Sequence, residues 1–196
     1  MKTFLTIDTA TDVLYVSVMK EGNLTFESSA KGTKDHAIKL MPTVIEALKK
    51  SGLQGRMLEG ILVGVGPGSY TGVRMGVVVA KMLAKEWNIP LFEISTLALM
   101  ASVGEGQMMP MIDARNDHVF GAVYELSMPT KVILEPGYYS KATLTQTYPK
   151  AIQVESVQPN LEKVLSSGLY SRVENVDALT PNYVRKTQAE KERHGA

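Results

Sequence analysis

The sequence predicts an α/β protein of two lobes with a cleft between them, and three observations carry that prediction. First, an apolar strand ending in Asp, followed by a short polar turn and a second apolar strand, occurs twice. "FLTIDTATDVLYVSVM" (4–19) and "MPMIDARNDHVFGAVY" (109–124) align without gaps at a spacing of 105 residues. Ile7 then matches Ile112, Asp8 matches Asp113, Asp12 matches Asp117 and Val18 matches Val123. Each copy reads as a β-hairpin. Second, apolar runs and helix-period segments alternate after the first copy, which is the order of an α/β lobe. Third, 44% hydrophobic and 21% charged residues over 196 positions is ordinary globular material. A chain of that length buries roughly 70% of its unfolded surface.

The two copies place an N-terminal lobe over residues 1–104 and a smaller C-terminal lobe with a polar tail over 105–196, divided at "GEGQMMP". In the first lobe "GNLTFESSA" is a third strand, entered by a turn at Glu21-Gly22-Asn23. "KDHAIKLMPTVIEALKKSG" (34–52) is helical, with Ala37, Met41, Val44 and Leu48 on one face and Gly52 as C-cap. Pro42 lies inside it, and a bend is expected there. "GILVGVG" is a buried strand, since an unbroken apolar run suits a strand covered on both faces. "TGVRMGVVVAKMLAKEW" is the second helix, "PLFEI" a further strand and "STLALMASVG" a short helix.

Charge and composition exclude several functions. Lys+Arg 21 against Asp+Glu 20 leaves a formal charge of +1. Autonomous nucleic-acid binding needs clustered cations to displace counterions. The chain has no cysteine, hence no disulfide, thiolate metal site or thiol nucleophile. No apolar run approaches the ~20 residues of a membrane span. The N-terminus meets Asp8 too soon for a signal-peptide core. A cytoplasmic protein is expected.

The stretch Gly64–Arg74, "GVGPGSYTGVR", joins the buried strand to the second helix, where many proteins hold a phosphate. It lacks the Lys-Ser/Thr end of a P-loop and the spacing of a dinucleotide fingerprint. Gly66 and Gly68 permit a tight turn around Pro67, Gly72 allows close backbone approach, and Ser69 or Thr71 can cap the helix. The loop reads as a structural turn that also shapes a docking surface. Arg74 near a helix N-terminus is unfavourable unless an anion meets it. A carboxylate of the same chain can supply that anion, as can a carboxylate or phosphate of a partner.

The second helix carries Arg74, Lys81 and Lys85 on one narrow stripe, while nearly everything else between Val73 and Ala84 is apolar or glycine. That is more apolar surface than one sheet needs, and the first helix adds Ile38, Leu40 and Ile45 off its main face. Either the two helices pack on each other, or they form an exposed apolar patch for a partner.

The motifs "IDTATD", "HAIKLMP", "GVGPGSYTGVR", "STL" and "DARNDHVF", in this order and spacing, resemble the bacterial TsaB (YeaZ) family. The likeness covers residues 1 to about 124, and "TPNYVRKTQAE" resembles the family's ending, whereas 127–177 match weakly. The resemblance implies two ribonuclease-H-like lobes of the actin/Hsp70 ATPase (ASKHA) type, the second reduced. It implies a part in making threonylcarbamoyladenosine beside the anticodon of tRNA, as a non-catalytic subunit that binds and activates a TsaD-like transferase. The resemblance also implies that a TsaE-like ATPase joins the assembly and that tRNA is met only through the complex; from the apolar patch, the chain alone is expected to form a homodimer through the same helices. The implied docking surface takes in His36, Leu40, Met41, Ile45, Leu48, Val73, Arg74, Val77, Ala80, Lys81 and Ala84. A charge at Val77 is therefore expected to abolish association and leave the monomer folded.

A nucleotide-cleaving member of this fold needs two phosphate-gripping turns. Asp8, with Thr9 and Thr11, and Asp113, with Arg115, stand at those positions, but neither turn has the glycine that lets backbone N–H groups crowd a phosphate. The second lobe has no glycine between Gly137 and Gly168, where an adenosine loop belongs. No intrinsic cofactor is expected, with ATP or ADP possible only at the partner interface. TsaD-like relatives carry two metal-binding histidines four apart on the first helix. Here His36 is followed at that distance by Leu40, and one histidine does not make a transition-metal centre. Ser69 lacks the context of a nucleophile. Two other classes stand against the subunit reading: an enzyme of the same fold (a small-molecule kinase or ATPase, or an M22-like peptidase) and a stand-alone dimeric binding module.

Overall fold

The computed structural model describes residues 3–32, 35–156 and 158–184. Lys34, the last part of the "TPNYVRKTQAE" motif and the tail with His194 lie outside the described residues.

The first lobe opens with an antiparallel meander, β1 (Phe4–Asp8), β2 (Val13–Lys20) and β3 (Asn23–Lys31). α1 (His36–Ser51) crosses to β4 (Gly60–Gly64), which pairs parallel with β1. α2 (Tyr70–Trp87) crosses to β5 (Leu91–Ile94), parallel with β4, and α3 (Thr96–Ala101) follows. β1 and β4 are buried at every position, as an unbroken apolar run predicts for a strand covered on both faces.

The second lobe repeats the plan and stops early. β6 (Gly106–Asp113), β7 (His118–Leu126) and β8 (Lys131–Ser140) form the meander; α4 (Lys141–Thr147) leads to β9 (Ile152–Val154), parallel with β6. The four strands lie in the order β8-β7-β6-β9. This is the ribonuclease-H-like arrangement of the first lobe without its fifth strand, the reduced second lobe expected from the sequence. The hairpins differ in one respect. Asp8 pairs with Tyr15, whereas Asp113 pairs with Val119 rather than with Phe120, the residue that the gapless alignment places opposite it. The second turn is tighter by one residue and carries Arg115, Asn116 and Asp117 at positive φ.

The chain then returns. α5 (Leu161–Ser167) leads to β10 (Tyr170–Arg172), which pairs antiparallel with β5 and gives the first sheet the order β10-β5-β4-β1-β2-β3. Residues 170–172 fall in the second lobe of the sequence reading and in the first sheet of the structure.

Alternation along the strands sorts the core into layers. Leu5, Ile7, Leu14, Val16, Ile61 and Val63 face α1 and α2 on one side of the first sheet. Tyr15, Leu62 and Ile94 face the opposite way and meet α3, α5 and the inner face of the second sheet through Met108, Ala122 and Tyr124. Met109, Met111, Val119 and Val123 close the far side with Leu144 of α4. Each fully buried Leu, Ile or Val is worth roughly 1.5–3 kcal/mol, and the middle layer, which draws on both sheets, holds the two lobes together.

α1 runs through Pro42 as a single helix and ends at Gly52, whose left-handed φ of 64° lets its N–H cap the last turn. Its buried stripe is His36, Leu40, Val44, Ala47 and Ser51. The predicted face was offset: Val44 is buried, but Ala37 and Met41 are exposed. Packing on β2 and β3 selects a face of smaller and more polar residues and leaves a more apolar one outside.

Candidate partner-docking face and interlobe cleft

The glycine-rich loop holds the chain's own backbone. Ser69 N–H donates to Ala10 C=O at 2.6 Å, and Thr9 Oγ1 donates to Gly72 C=O at 2.6 Å. A Cβ on Gly68 or Gly72 would collide with the carbonyl oxygens of Ala10 and Thr9 respectively. Ser69 caps α2, accepting from Gly72 N–H at 3.3 Å, while Thr71 is exposed. Gly66 N–H donates to Thr96 Oγ1 at 3.2 Å. The loop's small residues therefore let α2 start directly against the first hairpin turn.

Asp8 is fully buried at the end of β1. Its carboxyl accepts from Thr96 Oγ1 at 2.6 Å and from Ala10 N–H at 2.9 Å. Burial pushes it up to about 6 from 3.8, and the two hydrogen bonds offset part of that rise. Thr11 Oγ1 accepts from Val13 N–H, so two of this turn's donors, Ala10 N–H and Val13 N–H, serve the turn itself. Asp113 sits differently: it is exposed and accepts from Arg115 N–H at 3.0 Å. It lines an interlobe cleft of about 820 Å³ with Thr11, Asp12, Tyr70, Arg115, His118 and Lys141. The duplicated aspartates thus occupy opposite environments, one sealed in the core and one open to the cleft.

The helix face divides the expected docking residues into two groups. Met41 and Ile45 are exposed, with Leu48 half-buried. Leu40, Val73, Val77, Ala80 and Ala84 are buried against the first sheet and belong to the core. They cannot meet a partner, and a charge at Val77 would unfold the lobe rather than spare it. The phase of α2 accounts for the error: its residues are apolar almost all round, so the sequence does not show which side the sheet takes. The apolar side chains more than half exposed are Ile38 (75%) and Ile45 (60%) on α1, and Val78 (53%) and Met82 (65%) on α2. The sequence places Ile38 off the main helix face and does not single out Val78 or Met82. On α2 no sequence signal separates Val78 and Met82 from their buried neighbours, because the helix is apolar almost all round.

His36, expected on the docking face, is instead buried at the start of α1, and its Nε2 has no hydrogen-bond partner among the described residues. Desolvation lowers its pKa. No group of three or more metal-ligating side chains occurs among the described residues. No described helix is long and apolar enough to cross a membrane.

The α2 cations are engaged by residues late in the same chain. Arg74 Nε donates to Tyr183 Oη at 2.5 Å, and the guanidinium lies 4.0 Å from the Tyr70 ring centroid. Its partner is thus a phenol and two rings, where a carboxylate or phosphate was expected. Lys81 Nζ donates to the carbonyls of Asp177 and Leu179 at 2.8 and 3.0 Å, and Lys85 pairs with the Asp177 carboxylate at 2.5 Å.

Comparison with known proteins places this geometry. A family model described as TsaD, tRNA N6-adenosine threonylcarbamoyltransferase, matches residues 30–177, including the stretch 127–177 where motifs were weak. The tRNA threonylcarbamoyladenosine biosynthesis protein TsaB of Bacillus subtilis is 36% identical over 126 residues, 63% of this chain and 55% of that one. TsaB of Escherichia coli is 34% identical over 128 residues, 62% and 54% of the two chains. The chain belongs to the TsaB (YeaZ) family. It spans about half the length of these curated TsaB relatives. A Pseudomonas aeruginosa crystal structure described as similar to peptidase YeaZ superposes with a TM-score of 0.78 at 24% identity, over 94% of this chain and all of that one. YeaZ of Pseudomonas aeruginosa gives 0.76 at 24% identity, over 93% and all of the two chains. At that identity the likeness speaks for the shared YeaZ fold.

Proposed function

We propose that this chain is a non-catalytic subunit that binds and activates a TsaD-like transferase, in the synthesis of threonylcarbamoyladenosine beside the anticodon of tRNA. The observation that carries the reading is the apolar face of α1 and α2. Four large side chains, Ile38, Ile45, Val78 and Met82, are more than half exposed on two helices that share one side of the sheet. A family named for this biosynthesis, and a fold shared with a transferase model, make a second ribonuclease-H-like lobe the fitting cover for that face.

The site's chemistry supports a supporting role. The first phosphate-turn position is taken by a buried carboxyl whose lone pairs are used within the chain. Three donors of the glycine-rich loop serve the chain itself: Ser69 N–H goes to Ala10, Gly72 N–H to Ser69 and Gly66 N–H to Thr96. Activation then works by differential binding: association favours the transferase's active conformation. ATP or ADP belongs to the interface of the complex, a TsaE-like ATPase joins that complex, and tRNA meets this chain through it. Without the transferase, a second copy covers the same face.

The test is a calorimetric titration of this chain with the transferase of the same organism, with and without ATP. Saturable binding is expected, together with a gain in transferase turnover. No binding under either condition would remove the transferase from the reading.

A further inference from the structure

The C-terminal segment 176–184 is not explained by the docking reading, and it runs along α2 beside the docking ridge. A 3-10 turn at Val176–Ala178 starts it, just after β10 joins the sheet edge. Leu179 is buried in the α1/α2 core. Asn182 N–H donates to Val65 C=O at 2.8 Å, and the Tyr183 ring lies 5.0 Å from that of Tyr70. Between these anchors the segment receives all three cations of the α2 stripe, Arg74, Lys81 and Lys85. Val78 sits one helical turn from Arg74 and from Lys81, and Met82 one turn from Lys85. The clamped stripe and the exposed ridge are therefore neighbouring rows on one helix.

We propose that residues 176–184 are a clamp that occupies the α2 cations and holds the helix, so that the face offered to the transferase is apolar and its recognition is insensitive to salt. The inference rests on the docking reading above and specifies its chemistry. Charges on α1 agree with it: Lys39 pairs with Asp35 at 3.1 Å and Lys50 with Glu46 at 2.7 Å, leaving the ridge between self-paired ions. A partner that matches such a face presents apolar side chains rather than an acidic patch. Arg74 and Lys81 then act as positioning residues for the ridge.

The experiment uses the full chain and the transferase of the same organism, titrated at about 50 and about 500 mM salt, a range over which exposed ion pairs are largely screened. The unaltered chain is compared with the double variant Asp177→Ala/Tyr183→Ala, which loosens the clamp without touching the ridge. Hydrogen exchange at the Asn182 amide reports whether the clamp is released. The expected result is an affinity for the unaltered chain that changes by less than about threefold between the salts. The variant, with faster exchange at Asn182, should bind about tenfold more weakly at both. A steep loss of affinity with salt in the unaltered chain means that the cations meet the partner, and overturns the clamp. Equal affinities of a clamp-released variant and the unaltered chain overturn it too, as does unchanged exchange at Asn182. An unaltered chain that fails to bind at either salt overturns the transferase reading itself.

Discussion

Gly64, the last residue of β4, faces the carboxyl of Asp8 so closely that a Cβ there would overlap Asp8 Oδ2. Thr96 Oγ1 lies 3.1 Å from that Cβ position and donates to the same oxygen at 2.6 Å. Both atoms sit in a layer with no solvent, so the carboxyl cannot swing away without breaking its bond to Ala10 N–H. Gly64→Ala should therefore cost about 3 kcal/mol or more, the range for overpacking with the loss of a buried hydrogen bond. Urea unfolding measures it. A loss under about 1 kcal/mol would mean that β4 shifts freely and the network is slack.

The same carboxyl makes stability depend on pH. Its folded pKa is about 6 against 3.8 for the ordinary side chain, raised by burial. The native state therefore binds more protons than the unfolded state between those values. Stability from this group is full below about pH 4 and falls as pH rises through 6, by about 3 kcal/mol for a shift of this size. Asp8→Asn removes the titration. The stability of the variant relative to the unaltered chain should climb by about that amount between pH 4 and pH 8. A difference that stays flat across this window would place Asp8 in contact with water.

The start of α2 depends on one hydroxyl. Ser69 accepts from Gly72 N–H, and the helix it caps carries no acid in its first turn to assist. Ser69→Ala should cost about 1 kcal/mol, with Ser69→Thr recovering most of it. Thermal unfolding of the three proteins gives the answer. An alanine variant as stable as the parent would show that the Ser69–Ala10 backbone bond alone sets the helix start.

What could be read in the sequence follows from which forces act locally. The duplicated hairpin, the order of strands and helices, the Gly52 cap and the Ser69 cap are all written in short stretches. Alternation, turn residues and capping hydroxyls act within a few positions. The apolar face of α1 and α2 was legible as an excess of apolar residues, since the composition of a helix surface needs no tertiary knowledge. Which side of each helix stays outside was not legible. Val77 and Val78 are adjacent and alike, and only packing on β1 and β4 decides that Val77 is 2% exposed and Val78 53%. The partners of the α2 cations were hidden for another reason. Tyr183 lies 109 residues from Arg74, and Asp177 lies 92 from Lys85, separations at which no pattern operates. The unequal aspartates were hidden in the same way, because Asp8 is sealed by Thr96 of a distant helix while Asp113 has only its own turn.

The pair Val77 and Val78 also gives the sharpest test of the docking face. Val77 packs in the α1/α2 core with Leu5, Ile7 and Val63, so Val77→Glu buries a carboxylate with no cation set against it. It should destabilise the lobe by about 4 kcal/mol or more and lose binding through unfolding. Val78 points outward on the next row, so Val78→Glu should change the melting temperature by no more than a few degrees. It puts an unpaired carboxylate at the centre of an apolar contact, and transferase binding should weaken by about a hundredfold or more. Circular dichroism on melting and calorimetric titration of both variants separate the two effects. Normal binding by a folded Val78→Glu protein would move the interface off the α2 ridge. A folded Val77→Glu protein would show that the helix has turned its other side to the sheet.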